Sequence, residues 1–189
     1  ALSFEEAAAL PLVTSTALQA FRDEALIDEG HIKEEQRVCI NGASGGVGSV
    51  AVQIAKILGA QVTAVSRAEN HDFLRELGAD TCLDYREVNI TESGQKFDIF
   101  FDVFGNRRYD EIEPILTNSG VWVSTVLQPH VFASVEATKS SSGKKAKLVI
   151  VKSSRADLDI ISGWVNNGRL KPIIHAIYPL TDIRAAHAQ

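Results

Sequence analysis

The chain of 189 residues is long enough for one large domain, and at 45% hydrophobic it can build a full core. A formal net charge of -5 and an isoelectric point near 5.5 count against a nucleic-acid binder, since phosphate contacts need a basic surface. No apolar run reaches the roughly 18 residues of a membrane span and Cys39 and Cys82 form no Cys-x-x-Cys pair, so a cytoplasmic protein off the membrane is expected.

The first stretch, SFEE at Ser3 to Glu6, has the spacing of a capping box and predicts a short helix that stops near Pro11. A second helix is predicted from about Ser15 to Glu29, ending at Gly30, with Leu18, Phe21, Ala25 and Leu26 on one face. Strands and helices then alternate. RVCING is a strand closed by glycine. Val47, Val50, Ala51, Ile54 and Leu58 make a helical stripe that ends before Gly59. QVTAVS is the next strand, HDFLRELG a helix stopped by Gly78, and TCLDY a short strand.

FDIFFDVFG is nearly continuously apolar, as a strand covered on both faces requires. RRYDEIEPILTNSG reads as mostly helical, started, kinked or interrupted by Pro114, and VWVSTVL as a strand. A loop through Ser140 to Gly143, with the solvated basic run GKKAK, leads to the strand KLVIVK. Ser154 or Asp157 is placed to cap the helix ADLDIISGWVNNG, PIIHAIYPL is strand-like, and TDIRAAHAQ begins another helix. The alternation predicts an α/β fold of the Rossmann type: a doubly wound, six-stranded parallel sheet with helices on both faces, in the order 3-2-1-4-5-6. A helical lead-in would occupy 1–30, the dinucleotide-binding domain 31–171, and a further segment 172–189. The chain contains no methionine, which suggests an excised domain or fragment.

Residues 42–48 carry two signatures at once. Gly42-Ala43-Ser44-Gly45-Gly46 fits the G-x-S-x-G elbow of a hydrolase, for which His130, His175 and His187 are available partners. Gly42, Gly45 and Gly48 also fit the turn that cradles a pyrophosphate. The second reading is preferred. The turn follows the first strand of the sheet, so no earlier strand donates an oxyanion-hole amide. Gly48 extends the spacing into the helix, and Gly45 and Gly46 let the backbone approach a ligand. The helix beginning near Val47 would offer its amides to a diphosphate. The second strand ends in Ser66 and Arg67 where NAD binders carry an acid, which favours a 2'-phosphate and hence NADP(H). The competing reading leaves Arg67 in solvent and gives the ribose to Glu69.

Taken together, SFEEAAALPLVTSTALQAF, NGASGGVGSVAVQIAKILGAQVTAVS, LRELGADTCLDY and GRLKPIIHAIYPLTDIRAAHA resemble the quinone oxidoreductase branch of the medium-chain dehydrogenase/reductase superfamily. The resemblance implies hydride transfer from NADPH to a small-molecule quinone or enone, with no nucleic acid or membrane partner. By position, it places Thr16 and Val47 against the nicotinamide and Gly45, Gly46 and Val47 along the pyrophosphate. Ser66, Arg67 and Tyr85 would surround the 2'-phosphate. The backbones of Phe104, Gly105, Ser124 and Thr125 would border ribose and carboxamide. Leu12 stands where zinc-dependent relatives carry a cysteine ligand, so the resemblance points to the zinc-free branch. It also implies that a catalytic domain preceding this stretch in relatives is missing, that the strand 147–152 lies at the sheet edge where relatives pair into homodimers, and that the isolated chain is inactive. No catalytic acid or base is identifiable. A non-catalytic NADP(H)-binding module or regulatory homologue is the alternative.

Overall fold

The computed structural model describes residues 2–25 and 36–188. Ser3 and Glu6 close the expected capping box: the Ser3 hydroxyl accepts from the Glu6 amide at 3.2 Å and the Glu6 carboxylate accepts from the Ser3 amide at 2.8 Å. Helix α1 then runs Phe4–Ala8. Pro11 opens the second helix rather than ending the first. Its missing N–H falls among the unpaired donors of a first turn, so α2 spans Pro11–Gln19 and continues as a π-helical turn Ala20–Glu24. Leu26 and the expected end at Gly30 lie outside the described residues.

Six strands follow: β1 Arg37–Asn41, β2 Gln61–Ser66, β3 Thr81–Asp84, β4 Phe97–Asp102, β5 Leu116–Ser124 and β6 Lys145–Leu148. All pair in parallel, in the order β3-β2-β1-β4-β5-β6. Strand side chains alternate between two buried layers. Val38, Ile40, Ile99 and Phe101 face α2, α3 (Gly46–Ile57), α4 (His71–Glu76) and α7 (Arg155–Asn166). Cys39, Phe100 and Trp122 face α5 (Tyr109–Ile112) and α6 (Pro129–Thr138). The doubly wound sheet read from the sequence is therefore the fold.

Three further local expectations are corrected, and one helix is added. LTNSG belongs to β5, not to a helix: the register jumps from Phe97↔Leu116 to Ile99↔Val121, a bulge into which Thr117 Oγ1 donates to Asp98 Oδ1 at 2.9 Å. Residues 129–138, unassigned in the sequence, form α6 with Pro129 at its start. The last strand is 145–148, not 147–152; the chain turns away after the Val149 amide donates to Ser124 O at 3.0 Å. PIIHAIYPL makes no strand ladder among the described residues, and a strand without a partner has no ladder to hold it. A short helix α8, Ile183–His187, follows.

Two buried glutamines tie the segments that leave the sheet. Gln19 donates to Lys152 O at 2.7 Å and accepts from Lys152 N at 2.9 Å. Gln53 does the same for Lys171, at 3.1 and 2.8 Å. Gln19 also donates to Asp157 at 2.7 Å, and Arg22 donates to the other oxygen of that carboxylate at 2.7 Å. Ser154, not Asp157, caps α7, accepting from the Asp157 amide.

Candidate functional site

The sheet order reverses between β1 and β4, and a cleft of about 600 Å³ opens there at the carboxyl ends of β1 to β4. Its floor begins with the glycine turn. Gly42 has φ +85°, and the Gly42 and Ala43 amides donate to Val65 O at 3.2 and 3.1 Å. This binds the turn to the end of β2. Gly48 lies on the protein side: a Cβ there would stand 2.1 Å from Gly42 O and 2.7 Å from Ala43 Cα. Gly45 caps α3 from the open side, where a Cβ would meet only Gly42 O, at 3.4 Å. The turn is thus closed against its own helix and open toward the cleft, the shape that residues without side chains give to an anion cradle.

The far wall is built by the ends of β2 and β3. Ser66 is buried, and its hydroxyl donates to Arg67 O at 3.0 Å. Arg67 is more than half exposed; its Nε donates to Tyr85 Oη at 3.0 Å and its Nη1 lies 3.4 Å from Glu69. Asp84 anchors this wall. Its carboxylate accepts from the Ala68 amide at 2.9 Å and from Arg86 at 2.7 Å. The Arg86 guanidinium and amide hold the Asp84 carboxyl well below the usual range, so it stays charged and the Arg67–Glu69 turn stays pinned.

The β4 wall carries Phe104, Asn106 and Arg107. Phe104 is 70% exposed, with its ring at the cleft. Beneath it, buried Asp102 accepts from Asn41 Nδ2 at 2.8 Å, the Gly105 amide at 2.9 Å and the Arg107 amide at 3.1 Å. Burial raises the Asp102 carboxyl despite those bonds. Asn41 Nδ2 is shared with Asn106 Oδ1 at 2.8 Å.

Of the residues singled out in the sequence, Gly45, Ser66, Arg67, Tyr85 and Phe104 meet in this cleft. Glu69 is there too, in its ion pair with Arg67. Gly46 and Val47 sit in the first turn of α3, beyond the cleft wall, with Val13 of α2 within 3.6 Å of a Cβ built on Gly46. Thr16 is buried on α2, its hydroxyl donating to Leu12 O at 2.8 Å. Gly105, Ser124 and Thr125 lie next along the same sheet edge. The Ser124 hydroxyl accepts from the Val126 amide, and Thr125 donates to Val103 O. Ser44 lines the cleft, but no histidine does, so the elbow's partners are not assembled there.

Sequence reasoning missed Asn41, Asn106 and Arg107. For Asn41 the signal was a polar residue closing an apolar strand, after RVCI, as Asp102 closes FDIFF; Asn106 and Arg107 lie in the loop beyond and carried no such signal. Leu12 has no side-chain donor, and among the described residues no group of three or more His, Cys, Asp or Glu is placed to hold a metal. No described helix is long and apolar enough to cross a membrane.

Residues 77–189 match the family described as zinc-binding dehydrogenase. The chain is 31% identical to a chloroplast envelope quinone oxidoreductase homolog of Arabidopsis thaliana, over 97% of this chain and 57% of that protein. It is 29% identical to an NADPH-dependent alkenal/one oxidoreductase of the same plant, over 99% of this chain and 44% of that one. Among solved structures, the quinone oxidoreductase from Coxiella burnetii superposes with a TM-score of 0.84 at 29% identity, over 99% of this chain and 57% of that one. The chain spans about half the length of these relatives, from 44% to 57%.

Proposed function

Because the chain belongs to the zinc-binding dehydrogenase family, in the quinone oxidoreductase branch of the medium-chain dehydrogenase/reductase superfamily, we propose that it is the NADP(H)-binding part of a reductase of quinones or enones that works without zinc. The observation that carries the reading is one cleft that joins the open glycine turn to Arg67, Tyr85 and Ser66. The α3 amides and Gly45 would take the pyrophosphate. Arg67 and Tyr85 would take the 2'-phosphate, with Arg67 released from Glu69 and the Ser66 hydroxyl turned off Arg67 O. The bound dinucleotide supplies the hydride. The chain's own residues hold it, with Thr16 and Val47 beside the nicotinamide and the ends of β4 and β5 along its ribose.

A cytoplasmic location, and a homodimer across the free edge of β6, belong to the same proposal. In the second reading the chain binds the coenzyme without turnover by itself. It is favoured by the cleft lining, whose one carboxylate, Glu69, is paired with Arg67 and which holds no histidine, lysine or cysteine to serve as an acid or base for an acceptor.

Calorimetric titration of the chain with NADPH and NADH tests the cofactor. NADPH is expected to bind more tightly, and tighter NADH would overturn the reading. Arg67→Glu should reverse the preference, since one charged contact is worth about 1.5–3 kcal/mol, roughly tenfold or more in affinity. Oxidation of NADPH by a small quinone, followed for the chain and for its full-length parent, separates reductase from binding module. Binding without turnover in both would discard the reductase.

A further inference from the structure

We propose that Arg107 recognises the purine base of the nucleotide, its guanidinium donating an N–H to a ring nitrogen; this rests on the dinucleotide reading of the cleft. Arg107 lines the cleft from the β4 side, and its own amide, bonded to Asp102 Oδ2, fixes the residue over the end of the sheet. The side chain is half buried. Its Nε is fully buried and has no hydrogen-bond partner among the described residues. Other arginines have carboxylates: Arg22 has Asp157, Arg37 has Asp98 and Arg86 has Asp84. Asp102 below attracts the Arg107 charge, but its carboxylate takes its hydrogen bonds from Asn41, the Gly105 amide and the Arg107 backbone amide, not from the guanidinium Nε. A buried donor without an acceptor is costly, and the cleft that Arg107 lines is where a ligand can bring one.

The surroundings distinguish a base from a phosphate. Val65, Tyr85 and Phe104 line the same cleft, two of them flat rings with substantial exposed faces. A flat heteroaromatic ring slides between such walls and presents its lone pairs in its own plane, where an N–H donor meets them. A phosphate needs charge and water around it, and those are offered elsewhere: by the open turn at Gly45 and by exposed Arg67.

Binding of NADPH and NADH to Arg107→Met, at several salt concentrations, tests the proposal. Both affinities should fall by the same factor, about tenfold or more. The slope of affinity against salt should stay that of the parent, because no phosphate contact is lost. Arg107→Lys keeps the charge above Asp102, and with it the fold, but not the planar fork, so it should lose affinity too. Unchanged affinity in Arg107→Met, a loss confined to NADPH, a shallower salt slope, or full affinity in Arg107→Lys would each overturn the proposal. A parent chain that binds neither coenzyme would overturn the dinucleotide reading itself, which the variants' outcomes do not touch.

Discussion

Gly48→Val is expected to cost about 3 kcal/mol or more, lowering the thermal midpoint by roughly 6–12 °C, and to abolish dinucleotide binding. The added carbons would fall within 2.1 Å of Gly42 O and 2.7 Å of Ala43 Cα. These are backbone atoms of a turn already hydrogen-bonded to Val65 O, so they have no rotamer through which to escape. Gly45→Val makes the contrast. Its new Cβ meets nothing closer than 3.4 Å and its backbone is extended, so the cost is at most about 1 kcal/mol for a poorer helix cap. Binding should nevertheless be lost, because the side chain fills the space proposed for the pyrophosphate. Scanning calorimetry with and without NADPH reads both. If Gly45→Val bound NADPH as the parent does, the cradle would be discarded.

Asp157→Ala is the second large effect, about 3 kcal/mol. The carboxylate is almost fully buried and takes charge-assisted bonds from Arg22 and Gln19. Without it, Arg22 keeps a charge beside the core with only Asp23 to answer it. The value is set at the low end for a buried pair because about a third of the Arg22 side chain meets solvent. Burial by itself would raise the Asp157 carboxyl. The bonds from Arg22 and Gln19 outweigh it and hold the group below its ordinary value. The sign follows: this stabilisation is fully present above the unfolded pKa of about 3.9 and is lost as pH falls through the lower folded value. Urea midpoints of parent and variant should therefore differ at pH 7 and converge in acid. A gap that persisted at the lowest pH would show that lost packing, not the charge, is responsible.

The parts legible in the sequence were those written as periods. The strand–helix alternation from Arg37 onward gave the sheet order, because a right-handed crossover leaves few topologies. The glycine spacing placed the turn that borders the cleft. The errors fell where no period exists. Helix α6 buries only Val131 completely, so its stripe is too thin to be read. The run LVIV looked like a strand, but its apolar side chains leave the sheet after Leu148, and Ile150 is exposed. LTNSG, rich in turn formers, turned out to be a bulged strand held by a side-chain bond from Thr117, which no local propensity encodes. In the site, position along the chain located Arg67 and Tyr85, whereas Asn41, Asp102 and Arg107 came together only through the pairing of β1 with β4.

Gln19 and Gln53 act as one-residue substitutes for a neighbouring strand, each offering a loop both a donor and an acceptor. The amide protons of Lys152 and Lys171, though outside any helix or strand, should therefore trade with deuterated solvent as slowly as those inside the sheet. Two places that look like slack in the chain are thus its moorings.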